Sequence, residues 1–136
     1  MHITSGKLAG MKAVSNDRGV IAAAAMDQRG SLKKSLAAEK GGDITDTMMQ
    51  EFKAVVAEVL TPHASAILLD PQWGLEASKQ RSKNAGLLLA YESSGYDNTQ
   101  PGRLSGLLQH WSVKRLQEQG ANCIKILLYY SPFEDK

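Results

Sequence analysis

The sequence predicts an α/β fold in which parallel strands alternate with helices. Short apolar runs recur along it, and they are continuous rather than alternating, as in strands covered on both faces. Between two of them lies a longer segment whose apolar residues fall at three- and four-residue steps, the spacing of one helix face. Turn or breaker residues close the runs, which is the punctuation of repeated β-α units.

The first run, Val20 to Asp27 (VIAAAAMD), closes on Gln28-Arg29-Gly30 and is read as strand one. Its four successive alanines also satisfy a helix on propensity alone. From Ile44 to Leu60, the residues Met48, Met49, Phe52, Val55, Val56, Val59 and Leu60 draw an apolar stripe along a helix. Thr47 with Gln50 fits a capping box, Asp43 and Thr45 are alternative caps, and Pro62 ends the segment because it lacks an amide hydrogen. Strand two is Ala66 to Pro71, followed by a polar, helix-compatible stretch from Glu76 to Asn84. Strand three is Leu87 to Glu92. A turn-rich segment from Ser93 to Gly102 then leads into a helix expected from about Arg103 to Gln119, with Leu104, Leu107, Leu108, Trp111 and Leu116 on its apolar side. Gly120 caps that helix, and Ile124 to Tyr130 (IKILLYY) is strand four.

The chain has 136 residues, 43% of them apolar and 22% charged, which suits one globular domain with a hydrophobic core. Sixteen basic and fourteen acidic residues are interspersed for a formal charge of +2, so no basic stripe points to a nucleic-acid partner. Cys123, the single cysteine, lies in an apolar run and reads as a buried small hydrophobe in a reducing compartment, with the cytoplasm as the expectation. No run reaches the roughly 20 apolar residues that span a bilayer, and the first dozen residues lack a signal-peptide core, so no membrane or export role is expected.

In parallel α/β folds, ligands sit beyond the carboxyl ends of the strands. The polar residues there are Asp27, Gln28 and Arg29 after strand one, Asp70 after strand two and Glu92 after strand three. Lys125, near the start of strand four, is a lysine inside an apolar run. That is costly unless the amine is paired or its pKa moves, and such lysines are often functional, although an edge lysine can also snorkel to solvent. Asp27 has an Asx turn that ends the strand as its lesser alternative, while for Asp70, ahead of Pro71, and for Glu92 a turn or rim role weighs at least as much as contact with substrate. His2, His63 and His110 stand far apart without carboxylate or cysteine spacing, so no metal is expected; Trp73 and Trp111 read as packing residues. No glycine-rich phosphate or dinucleotide loop comes after any strand, which leaves a doubly wound open sheet without its usual support.

Four segments in this order, GVIAAAAMDQRGSLKK, LTPHASAILLDPQWGL, NAGLLLAYESSGY and WSVKRLQEQGANCIKILLYY, resemble the opening half of the tagatose-1,6-bisphosphate aldolases, class I enzymes. The likeness runs from Gly19 to Tyr130, and the combination of DQRG, ILLDP, GLLLAYE and K-LLYY carries it. It implies the first half of a (β/α)8 TIM barrel over residues 19–136, preceded by a lead-in over 1–18, and reversible cleavage of a ketose bisphosphate to dihydroxyacetone phosphate and glyceraldehyde 3-phosphate. No metal or other cofactor is implied. A lysine imine draws electrons from the breaking carbon-carbon bond while a carboxylate moves protons. On this resemblance Asp27 and Lys125 are candidate catalytic groups, Lys125 as a cation near the reacting oxygens and phosphate, and Gln28 is a candidate substrate-binding group; Arg29, Asp70 and Glu92 are candidate substrate-binding groups by their places at the strand ends.

The same resemblance puts the imine-forming lysine and the proton-shuttling glutamate beyond residue 136. The chain is therefore expected to be truncated, inactive alone, and prone to self-association or to association with a missing C-terminal half. A sulfofructose-phosphate type of aldolase shares the DQR and LLD pattern, and a non-catalytic half barrel that binds sugar phosphates or a partner is the alternative outside enzymology.

Overall fold

The computed structural model describes residues 2–93 and 106–128. Four parallel strands form one sheet in the order β1-β2-β3-β4: β1 is Ala23–Met26, β2 Ala66–Leu69, β3 Gly86–Ala90 and β4 Cys123–Lys125. Register runs Ala25 to Leu68, Leu68 to Leu88, and Leu88 to Cys123. Sequential strands joined by helical crossovers, each beside the last, are consecutive units of a (β/α)8 barrel. Ala23 to Met26 are extended, so parallel backbone pairing with β2 overrides the helix propensity of the alanines.

Alternation along the strands sorts the side chains. Ile67, Leu69, Leu87 and Leu89 are fully buried on one face beneath Ala57, Ala77 and Leu116 of the covering helices. The opposite face carries Ala25, Leu68, Leu88 and Cys123, one register row across the sheet. Full burial is confined to the central strands. Along β1 exposure alternates, and all three residues of β4 are half-buried, because these are the outer strands.

Helix α3, Asp46–Leu60, is the expected central helix, capped by Thr45, whose side chain accepts from the Met48 amide. Its buried line is Met49, Lys53 and Ala57; Val55 and Val59, expected in the stripe, are 58% and 60% exposed. The helix presents its narrow side to the sheet, where Ala57 permits close approach and Lys53 finds oxygen partners.

Two helices lie where the sequence reading placed none. Helix α2, Gly30–Lys40, comes directly after β1 and ends on Gly41 at φ +72°, a left-handed residue suited to glycine. Its Leu32 and Leu36, one turn apart, pack on a second cluster of Ile44, Met49 and Trp73. Helix α1, Ser5–Ala13, lies against the amino ends of the strands. A β-carbon on Gly86, the first residue of β3, would stand 2.2 Å from the Ala13 carbonyl oxygen, and one on Gly10 would stand 2.5 Å from that of Asn122, just before β4. The Ser65 hydroxyl, just before β2, donates to the Val14 carbonyl at 2.7 Å.

Three expectations are corrected. Helix α4, Leu75–Gln80, stands where a helix was expected after strand two but stops four residues before Asn84, and α5 is only Val113–Glu118, opened by Ser112 as its cap. Leu107 instead pairs with Glu92 in an antiparallel bridge, and Leu108 donates its amide to the Tyr91 carbonyl, so backbone bonding to the end of β3 holds this stretch out of the helix. Leu104 and the tail of the expected fourth strand, Tyr129 and Tyr130, lie outside the described residues. Strand β4 stops at Lys125, which puts that lysine at the carboxyl end of its strand rather than near the start. Cys123 is half-buried, not buried, because β4 lies at the sheet edge; burial still pushes its thiol up from the ordinary value.

Candidate functional site

Strand parity builds the site. Asp27, Glu92 and Lys125 stand at even steps from Ala25, Leu88 and Cys123, so all three belong to the face turned away from the covering helices. They also stand at the carboxyl ends of their strands, where a barrel keeps its chemistry. The Lys125 ammonium donates to Asp27 Oδ2 at 2.9 Å and to Glu92 Oε1 at 2.5 Å, joining the ends of β1, β3 and β4.

A pocket of about 400 Å³ opens over this group. Its walls comprise Asp27, Gln28, Glu92 and Lys125 with Arg29, Gly30, Ser31 and Lys34 from the start of α2, and Ser93 and Leu127. Five of the six expected site residues therefore meet in one place. Arg29 is buried, and its guanidinium donates to the Glu92 backbone carbonyl at 2.7 Å, fixing the end of β3 as well as lining the pocket.

Asp70 is placed differently. It is wholly buried, one carboxylate oxygen accepts the amides of Gln72 and Trp73 at 2.9 Å each, and the other is ion-paired with Lys53. The turn after β2 thus draws it out of the parity row that would have carried it to the pocket.

Lys53, which the sequence reading passed over, is equally buried and also donates to the carbonyls of Met26 and Gln28 at 2.8 Å each. All three of its donors are used. The signal was present in the sequence: a lysine midway between Met49 and Ala57, four residues from each, on the buried side of an amphipathic helix.

Charge in the pocket is set by the two carboxylates. Partial burial pulls the Lys125 amine down, but its hydrogen bonds to Glu92 and Asp27, helped by their charges, outweigh that and hold it above the ordinary lysine value. Lys125 is consequently a fixed cation near neutral pH, with one donor left for a ligand oxygen once Asp27 and Glu92 have taken two. A protonated amine has no lone pair for attack, so its chemistry is electrostatic. Among the described residues no group of three or more His, Cys, Asp and Glu side chains could hold a metal ion, and no helix is long and apolar enough to cross a membrane.

Comparison with known proteins places this geometry in context. Residues 21–136 match the model of the DeoC/LacD family aldolases. The chain is 55% identical to tagatose 1,6-diphosphate aldolase 2 of Enterococcus faecalis across 99% of its own length. It is 51% identical to tagatose 1,6-diphosphate aldolase 1 of Streptococcus mutans and 50% identical to the tagatose 1,6-diphosphate aldolase of Staphylococcus aureus, each across 96% of its length. It spans 40% of the length of these relatives.

Proposed function

Since this chain belongs to the DeoC/LacD family of aldolases, we propose that it forms the first four strands of a class I aldolase acting on tagatose 1,6-bisphosphate. The observation that carries the reading is the Asp27–Lys125–Glu92 constellation at the carboxyl ends of three parallel strands, facing a pocket with further cationic groups.

In this proposal an amine supplied from outside residues 1–136 adds to the ketose carbonyl and loses water to give an iminium ion. The bond between carbons three and four then breaks, its electrons flow to the iminium, and the hydroxyl proton on carbon four passes to a base. Glyceraldehyde 3-phosphate leaves, a proton is delivered to carbon three of the resulting enamine to restore the iminium ion, and hydrolysis of that iminium releases dihydroxyacetone phosphate and the free amine. The chain's own groups act around that chemistry. Lys125, held charged, stabilises negative charge that develops on a reacting oxygen; Asp27 fixes Lys125 and exchanges a proton; Gln28 and Arg29 contact the substrate at the pocket mouth. Arg29 and Lys34 favour an anionic ligand such as a phosphate ester. Asp70 is left out of substrate contact and serves the turn. Water is the expected medium and the cytoplasm the expected compartment, as for an enzyme of sugar phosphates.

The test is reconstitution. The chain is mixed with the complementary part of the Enterococcus faecalis relative, and release of dihydroxyacetone phosphate is monitored in a coupled assay. Cleavage is expected in the mixture, with Asp27→Ala or Lys125→Ala lowering turnover by about a hundredfold or more. Failure of this chain to reconstitute, under conditions where the matching segment of the relative does so, would overturn the proposal.

A further inference from the structure

The carboxylate of Glu92 is only half used. Its side chain is 6% exposed, Oε1 accepts from Lys125, and Oε2 is buried without a hydrogen-bond partner. Buried oxygens in folded proteins are almost always paired, so a solitary one on a residue that lines a pocket marks a place where a donor arrives once a ligand opens that wall. The group cannot turn away to find another. Arg29 holds its backbone carbonyl, Leu107 bridges its main chain, and Lys125 anchors its other oxygen. It is an acceptor fixed in advance.

We infer that Glu92 is a specificity-determining residue whose Oε2 accepts a hydrogen bond from a hydroxyl of the sugar-phosphate ligand, an inference that rests on the aldolase reading above. The chemistry of the pocket selects that donor. Three cationic and two anionic side chains line it, which suits a ligand carrying negative charge. On such a ligand the groups that can approach a carboxylate lone pair without repulsion are its hydroxyls. A site built to bond a hydroxyl discriminates against an analogue lacking it, because the buried acceptor is then left unpaired.

The experiment titrates the isotopically labelled chain with glycerol 3-phosphate and with propyl phosphate by NMR. Both carry one phosphate ester on three carbons, and the second has no hydroxyl. The wild-type chain should bind glycerol 3-phosphate about tenfold more tightly or better, the scale of one hydrogen bond to a charged group. In Glu92→Gln the amide oxygen faces Lys125 and a donor replaces the acceptor, so the preference should shrink severalfold; in Glu92→Met it should vanish. A folded Glu92→Met chain that keeps the wild-type preference overturns the inference. If that variant does not fold, an undiminished preference in Glu92→Gln has the same force. Equal binding of both ligands by the wild type, or binding of neither, overturns the inference while leaving the aldolase reading to its own reconstitution test.

Discussion

Lys53 stands behind Asp27: its ammonium donates to the carbonyl oxygens of Met26 and Gln28, each at 2.8 Å, the residues on either side of that aspartate. The same nitrogen pairs with Asp70, so one lysine of α3 ties together the ends of β1 and β2. Two charges removed from water are tolerable only while each satisfies the other. Lys53→Met should therefore destabilise the chain by about 3 kcal/mol or more, because it strands the Asp70 carboxylate. Adding Asp70→Asn should recover part of the loss, since an amide oxygen can still accept from Gln72 and Trp73. Urea unfolding of the single and double variants measures this, and a single variant within about 1 kcal/mol of wild type would be incompatible with it.

Lys125 gives a prediction about pH. Its amine is raised in the folded state, so its links to Glu92 and Asp27 contribute stability that is fully present below the ordinary lysine value of 10.5 and is lost as pH rises through the folded value. The stability gap between wild type and Lys125→Met should be level across neutral pH and close only above that ordinary value. The same charge predicts that borohydride with dihydroxyacetone phosphate near neutral pH leaves no adduct on Lys125. Peptide mass mapping checks this, and an adduct on that residue would mean that the amine is not held as a cation.

The underside of the sheet leaves no room at Gly86. Its missing side chain admits the Ala13 carbonyl and Val14 Cα, which a β-carbon would meet at 2.2 and 2.9 Å, and both are backbone atoms that cannot swing aside. Gly86→Ala should cost about 1 to 3 kcal/mol, the usual penalty for overpacking. Gly30→Ala, with nothing within 4 Å of the added carbon, serves as the comparison and should be close to neutral. Thermal unfolding would contradict the account if the two variants behaved alike.

The outer strands predict association. Within the described residues β1 and β4 each pair on one side, and apolar side chains next to them are open: Ile21 is 52% exposed, Ile126 61% and Leu128 76%. Unpaired edges with apolar neighbours recruit further chain. Sedimentation at micromolar concentration should show concentration-dependent species larger than a monomer, shifting toward monomer in the double variant Ile21→Lys, Leu128→Glu. A concentration-independent monomer in the unmodified chain would rule this out.

Much of this architecture was legible because burial writes itself into composition. Ile67 to Leu69 and Leu87 to Ala90 are buried on nearly every position, and both stand out as uninterrupted apolar runs. Helix α2 was not legible by the same means: none of its residues is fully buried, and only the Leu32 and Leu36 pair and the glycine after it betray it. The false start of α5 has the opposite cause. Leu107 and Leu108 carry helical spacing with Leu104 and Trp111, yet their backbone bonds go to Glu92 and Tyr91, partners distant in sequence. In the site, Asp27, Gln28, Arg29, Glu92 and Lys125 could be found because each is a polar residue in or just beyond an apolar strand run. Lys53 was marked only by its place on the buried side of α3; what it does there was not legible, because its partners include main-chain carbonyls that every residue has.

The Asp27–Lys125 contact joins the two outermost strands of the sheet, 98 positions apart in sequence. In a flat sheet those strands would lie roughly 14 Å apart. The 2.9 Å link between their side chains therefore depends on the curl of the sheet as well as on the reach of the lysine. Seen this way the ion pair is a curvature gauge. Whatever flattens or tightens the sheet lengthens or compresses the link and alters the charge presented to the pocket, so the mechanics of the scaffold and the electrostatics of the site vary together.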